Sequence, residues 1–467
     1  MSHSSDYADA MATPTVPSST FLDQTTSGIS ARIESAYAQD RASRDPVEAY
    51  GGQFQMWGQA EETAESFTSI MEDIVHDLHA HPETAFEEFR SQRQLVSVLR
   101  ERGFVVETGA YGVSTSFKTE AATSHFDPDL HPTIVIMAEY DALPGIGHAC
   151  GHNIIAAAGV GAFLTAAKML EHLPADAQGR VVLQGTPAEE GHTGKEYMIR
   201  GGSLEGVDAA IMIHGFGYDI SSHAWVGRRS VTAHFHGVAA HASSQPFMGR
   251  NALDAATLAY QGIGLLRQQM PPSDRLHSII SDGGQRPSII PESAELQIYV
   301  RSLGTRTLVE LSERVNDVIY GAAQMAGCGV EVEWDPHPMS LPVRNNQVLA
   351  RRWAVSQKRR GRIALPAGTV PESLAASTDF GNVSQRVPGI HPMVKVSPSS
   401  VALHTEEFAR WANTKEAVEA AVDSAASLSH IALDLLADPR LLARAREEFD
   451  NAGGVVTVEG LLAESES

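Results

Sequence analysis

Cys150 and Cys328 are the only cysteines in a chain of 467 residues. Two are too few for a disulfide framework, so both are expected to be free thiols in reducing surroundings. Long apolar runs are missing too, since no run of uncharged apolar residues reaches the about 18 a bilayer span needs. Basic residues are scarce, 35 Lys and Arg against 57 Asp and Glu, for a formal net charge of −22. That charge repels phosphate backbones and anionic lipid surfaces, which argues against nucleic-acid and membrane partners. The opening residues, Met1 to about Gly28, lack the basic start and apolar stretch of a signal peptide, so cytoplasmic residence is the expectation. No internal repeat is visible.

What is present is an ordinary globular composition, 43% hydrophobic and 20% charged, in a chain long enough for two folded units. Residues 1–45 are polar and rich in turn formers and read as an unstructured arm. Helical spacing of Phe67, Ile70, Met71 and Ile74, then of Leu95, Val98 and Leu99, predicts two helices around His81-Pro82. The apolar run Thr133 to Ala138 predicts a strand buried on both faces of a mostly parallel sheet. Arg180 to Gln184 and Ala209 to Ile213 repeat that signal, and Ile154 to Leu170 reads as a helix between them. From about Trp225 to Pro342 the pattern changes. Val231 to Gly237 and Glu295 to Arg301 alternate like half-exposed antiparallel strands, around a helix at 252–269. A helix at 307–325 and a strand at 329–334 complete a βαββαβ order resembling a ferredoxin-like unit.

The expected organisation is therefore α/β. A mostly parallel sheet sandwiched by helices occupies 46–225 and 343–450, interrupted by an inserted α+β unit at 226–342 and followed by a tail at 451–467.

Ligands of such sheets gather beyond the carboxyl ends of the strands, and four polar clusters fall there. They are Glu139-Tyr140-Asp141 with His148 to His152, the pair Glu189-Glu190, His214, and His404 with Glu406 and Glu407. Imidazole, thiolate and carboxylate together suit zinc or manganese in a catalytic site. Neighbouring residues of extended backbone point in opposite directions, so one glutamate is expected to bind metal while the other faces substrate. A carboxylate beside a metal-bound water can take its proton and return it to a departing amine. Asp141 is placed to hold a ligand imidazole in one tautomer. Taken singly, each feature has a bland reading: a structural histidine, a solvated acidic pair, a small buried thiol. Their shared position after buried strands is what gives them weight.

At these residues the chain resembles the metallopeptidase family that includes aminoacylases, glutamate carboxypeptidases and plant hydrolases of auxin conjugates. The resemblance runs from about Glu61 to Leu436. It rests on Asp77-Leu-His-Ala-His-Pro-Glu83, Phe86-Glu-Glu-Phe89, Ala138-Glu-Tyr-Asp-Ala-Leu-Pro144, Gly147-His-Ala-Cys-Gly-His152, Thr186-Pro-Ala-Glu-Glu190 and His404-Thr-Glu-Glu-Phe408. The branch with a cysteine ligand is the nearer match, in its subgroup of aminobenzoyl-glutamate hydrolases and peptidases of unusual dipeptides.

The resemblance implies a zinc-peptidase-like catalytic domain holding two divalent ions, zinc or manganese with cobalt also suitable. It implies ligands at Cys150 (bridging), His152, Glu190, His214 and His404, with Glu189 as general base and acid. It further implies that the inserted unit is a lid that pairs two chains into a homodimer. In Gly237 to Pro246 it marks His241 as a lid histidine that reaches a partner subunit and supports the oxyanion. Arg301 matches the lid arginine that binds a substrate carboxylate.

Three departures stand out. Glu139-Tyr140-Asp141 replaces the usual His-x-Asp, which supports Cys150 as a ligand. Ser288 stands where relatives carry a substrate-contacting Asn. Asn153 stands where auxin-conjugate hydrolases carry Asp. His148 is expected to support its loop. The substrate implied is a small carboxylate-bearing amide, namely a dipeptide, an N-acyl amino acid or an aminobenzoyl-glutamate. Two rival readings remain: a Cys150 nucleophile, which leaves Glu189, Glu190 and His404 without a role, and an inactive metal-stabilised binding protein, which leaves Glu189 unexplained.

Overall fold

The computed structural model describes residues 17–42 and 54–465. A six-stranded sheet forms the centre of the larger domain, in the order Val106–Thr108, Phe117–Ala122, Arg180–Gly185, Thr133–Ala138, Ala209–Ile211, Gly389–Ile390. The first three strands pair antiparallel, and Thr133–Ala138 runs parallel to both Arg180–Gly185 and Ala209–Ile211, which in turn pairs parallel with Gly389–Ile390. Every residue of Thr133–Ala138 is buried, which requires cover on both faces and explains the apolar run Ile134 to Ala138. Helices His152–Met169 and Lys415–Ala437 pack on each other and share the core with that strand. By length and composition both could cross a membrane, but 89% of each apolar window is buried inside the protein.

The inserted unit is a second, separate core. Gly227–His236, Arg275–Asp282, Ser293–Ser302 and Gly329–Trp334 form an antiparallel sheet in which the fourth strand lies beside the first, then the third, then the second. Helices Ala252–Leu266 and Thr305–Ala326 complete the βαββαβ order expected of a ferredoxin-like unit. Alternating burial along Gly227–His236 reflects one face packed on those helices and one face open.

Two segments differ from expectation. The arm expected over 1–45 includes a 23-residue helix, Thr20–Ala42, although residues 1–16 and 43–53 lie outside the described ones. Its Ile29, Ile33, Ala36 and Tyr37 pack against Ile220, Trp225, Leu365 and Met393, a narrow stripe at helical spacing on an otherwise polar helix. The expected C-terminal tail carries the helix Val458–Ser465, whose Val458 and Leu461 bury against Val309, Met339 and Leu341.

Candidate metal centre and active site

Because the central pairings are parallel, the carboxyl ends of three strands open at one edge of the sheet, and the polar clusters meet there. Glu139 to Asp141 follow Thr133–Ala138, Glu189-Glu190 follow Arg180–Gly185, and His214 lies just past Ala209–Ile211. Gly151 takes φ +80°, a left-handed turn that glycine adopts without steric cost. That turn separates Cys150 from His152, the first residue of its helix. His404 also has positive φ, 61°, and its N–H donates to the Ala149 carbonyl at 2.9 Å, tying the His404 loop to the Cys150 loop.

The donor atoms converge. Cys150 Sγ lies 3.4 Å from His214 Nε2 and 3.3 Å from His404 Nε2. His404 Nε2 is also 3.4 Å from Glu190 Oε1. His152 Nδ1 donates to Asp141 Oδ1 at 2.9 Å, while its Nε2 faces Glu139, Glu189 and Glu190 at 3.5, 3.9 and 4.0 Å. Three donor groups, each within 4.8 Å, result: Cys150, His152 and His214; Cys150, Glu190 and His404; His152, Glu189 and Glu190. Cys150, His152 and Glu190 each belong to two of them, so the groups overlap in one continuous donor cluster.

The residues fit divalent cations. Among the described residues, buried His152 Nε2 and Glu139 Oε2 have no hydrogen-bond partner, a costly state for polar atoms unless something else engages them. Asp141 behaves as a clamp: it fixes the His152 tautomer and accepts the Glu190 backbone N–H at 2.8 Å. Likewise His214 Nδ1 donates to the Gly215 carbonyl at 2.7 Å, turning Nε2 toward the thiol. Imidazoles held by their other nitrogen are the usual arrangement of metal-ligating histidines.

Electrostatics divide the glutamate pair. Burial, then the Glu190 and Glu139 carboxylates, push Glu189 well above the usual carboxylate range. Burial opposes ionisation of Glu190, but the hydrogen bond from His404 and the charge of His152 bring it below that range. Their surroundings thus bias the two carboxyls in opposite directions, Glu189 toward holding a proton and Glu190 toward the charged form. The pair does not point in opposite directions as extended backbone would dictate. The strand ends at Gly185, Ala188 turns at φ 60°, and both carboxylates reach one cavity.

That cavity holds about 390 Å³ and is lined by Cys150, Glu189, Glu190, His214 and His404 on one side. From the inserted domain come Arg228, Arg275, His277 and Arg301, with Trp225 and Ala375 to Thr378 closing the wall. Of the residues singled out in the sequence, the structure brings together Asp141, Cys150, His152, Glu189, Glu190, His214, His404 and Arg301. It does not bring in His241 or Ser288. His241 is exposed and accepts from the Ser243 and Ser244 N–H groups at Nδ1. Ser288 lies beside it, its carbonyl accepting the Ala242 N–H at 3.0 Å, next to the two-residue ladder of Ile289 with His241. Neither lines the cavity. His148 is buried, and burial pushes its pKa down to about 3, so the ring is neutral.

Several contributors were not assigned roles from the sequence. Lys195 Nζ bridges Glu139 and Asp379, the latter at 2.6 Å, beneath His152. Burial opposes its charge, but the Asp379 and Glu139 carboxylates keep Lys195 protonated. Buried Glu88 accepts the Ala188 N–H at 2.9 Å, propping the turn that aims Glu189. Burial, then the Asp141 charge, push Glu88 up to about 7. Only Glu88, within Phe86-Glu-Glu-Phe89, belongs to a sequence motif; Lys195 and Asp379 carry no local signal.

Residues 135–427 match the sequence profile of peptidase family M20/M25/M40. The Xaa-Arg dipeptidase of Mus musculus is 36% identical over 377 residues, covering 79% of this chain and 86% of that protein. One of the two polypeptides of the Escherichia coli p-aminobenzoyl-glutamate hydrolase is 27% identical over 445 residues, covering 80% of this chain and 91% of its own. Among solved structures, a Bacillus subtilis protein described as a dinuclear metal-binding peptidase of the M20 family superposes with a TM-score of 0.60. It is 21% identical and covers 79% of this chain and 99% of its own, a likeness of fold.

Proposed function

Since the chain belongs to peptidase family M20/M25/M40, and is thus a hydrolase of amide or peptide bonds, we propose that the Cys150 cavity cleaves the amide bond of a small carboxylate-bearing substrate. Dipeptides, N-acyl amino acids and aminobenzoyl-glutamate conjugates are the classes in view. The observation that carries this reading is the overlap of three donor groups through Cys150, His152 and Glu190, with Glu189 beside them on one cavity.

Two divalent ions, zinc or manganese with cobalt also suited to these donors, would be held by Cys150, His152, Glu190, His214 and His404, supplying Lewis acidity and a water of lowered pKa. The protein's own part follows from its contacts. Glu189 takes the proton of the attacking water and delivers it to the departing amine nitrogen. Asp141 keeps the proton of His152 on Nδ1 and so keeps Nε2 turned to the cavity. Arg301 receives the free carboxylate of the substrate as a planar, two-pronged donor.

His241 enters this reading through a second copy. A homodimer formed through the lid would let it support the oxyanion across the interface, and its exposed position leaves it available. Ser288, its neighbour, would tune recognition of the substrate end. A nucleophilic Cys150 is disfavoured, because it leaves Glu189, Glu190 and His404, which share its cavity, without a role.

Glu189→Gln keeps size and hydrogen bonding but cannot accept a proton. The metal-loaded variant should retain its metal content and lose turnover by about two to four orders of magnitude. Unchanged turnover with metal still bound would remove Glu189 from the role given to it.

A further inference from the structure

The inserted sheet sets three arginines in one row. In the register of its strands Arg301 pairs with Arg228 on one side and Arg275 on the other, so three guanidinium groups stand on directly opposed positions. Like charges opposite each other in a sheet repel. All three line the cavity of the Cys150 centre, as does His277 one step along the same face. Burial and then the Arg228 charge push Arg301 below the usual arginine range, the mark of a guanidinium whose charge is not compensated.

The neighbouring Arg229 makes the contrast. On the other face of the same strand it pairs with Asp335 at 2.8 Å and lies over Trp334, an ordinary structural arginine. Among the described residues Arg228, Arg275 and Arg301 have no carboxylate partner. Arg228 donates to the Gly191 carbonyl at 3.0 Å and Arg275 to the Asp274 carbonyl at 2.7 Å, neutral acceptors that leave the charge unbalanced. Arg228 and Arg301 flank the Tyr299 ring, 5.5 and 5.0 Å from its centre, which holds both side chains in place. Among the described residues, the only carboxylates in the cavity wall are Glu189 and Glu190, both committed to the metal centre. Among the described residues, that wall offers no uncommitted carboxylate to a cationic side chain.

We propose that Arg228 and Arg275 are specificity residues that bind a second carboxylate, so that the residue released from the amide is an acidic amino acid with Arg301 on its α-carboxylate. This rests on the reading of the Cys150 cavity as an amide hydrolase site. One carboxylate satisfies one guanidinium in a two-pronged pair; a row of three calls for a dianion. Fork-shaped donors also distinguish the acidic side chain from neutral or basic ones, since the wrong substrate leaves half-buried charges unpaired.

The test uses the metal-loaded full chain and N-acetyl conjugates of glutamate, alanine and arginine. The expected order is glutamate, alanine, arginine, with kcat/KM for glutamate about a hundredfold above that for arginine. Arg228→Met and Arg275→Met should each lower the glutamate-to-alanine ratio about tenfold. Arginine hydrolysed as well as glutamate, or a ratio unmoved in both variants, would overturn the proposal. Binding of glutarate against butyrate reads the same arginines without turnover. Glutarate should bind about tenfold more tightly, and Arg275→Met should erase the difference; equal binding to the unmodified protein also overturns it. Should no conjugate be cleaved while glutarate is still preferred, the hydrolase reading fails and the dianion site stands.

Discussion

His152 and His430 are both fully buried, and they lie on the two long helices that pack against each other in the core. Their rings are nevertheless used in opposite ways. His430 is closed: Nδ1 meets the Ser356 hydroxyl at 2.7 Å, Nε2 donates to the Trp57 carbonyl at 3.1 Å, and the ring stacks on Trp57 with centroids 4.4 Å apart. His152 is open: Asp141 takes Nδ1, and Nε2 points at three carboxylates with no hydrogen-bond partner among the described residues. Burial of an imidazole is thus no sign of function. The informative quantity is the nitrogen left over after the protein's own bonds are counted.

The comparison is broken most forcefully by exchanging the roles. His152→Ala should empty the Cys150 centre of metal and abolish hydrolysis, whereas His430→Gln should keep its metal and its turnover. Metal analysis of both purified variants beside a rate measurement decides it, and a His152→Ala protein that still holds full metal would mean Nε2 is not a ligand. A finer test leaves the ring in place and alters what holds it. Asp141→Asn still accepts from Nδ1–H but removes a charge, and loss of such an outer partner costs about 10- to 100-fold in metal affinity or activity. Titration of the apo variant with zinc checks this, and no change would make the Asp141 contact merely structural.

What the sequence carries of this molecule follows from which signals are local. Ile134 to Ala138 is apolar at every position because both faces of its strand are covered, and the strand observed, Thr133–Ala138, is the one expected. The ferredoxin-like order was legible because alternation of period two gives way to helical spacing and back within one stretch. The clusters at Glu139 to His152, Glu189-Glu190 and His214 were legible because each follows a strand of the central sheet, whereas His404 follows a separate two-stranded ladder and was marked by its motif. The helix Thr20–Ala42 was not legible: among the described residues its packed apolar side chains are Ile29, Ile33, Ala36 and Tyr37 amid Ser, Thr and Asp, too narrow a stripe to outweigh the composition. The arginine row was out of reach for a different reason. Arg228, Arg275 and Arg301 become neighbours only through the pairing register of three strands, which no single segment encodes. The directions of Glu189 and Glu190 were misjudged because the Ala188 turn, held by Glu88 from a hundred residues away, replaces extended backbone.

The smallest effect concerns the closed histidine alone. Burial pushes the pKa of His430 from 6.5 down to about 3, so the folded protein holds the ring neutral. Above pH 6.5 the ring is neutral in the folded and unfolded chains alike, and no proton is gained on unfolding. As pH falls below that value, the unfolded chain binds a proton that the folded one refuses, and stability is lost at about 1.4 kcal/mol per pH unit. The loss continues until pH approaches about 3, where the folded ring also charges. His430→Gln removes that proton from the balance. Urea midpoints of both proteins between about pH 5 and 7 should therefore diverge in slope by about one proton, the variant losing less stability on acidification even though its absolute stability is lower. Other buried histidines contribute to both curves and cancel in the difference. Parallel curves would show that the folded protein charges His430 as readily as water does, and the contrast between a closed ring and an open one would lose its energetic basis.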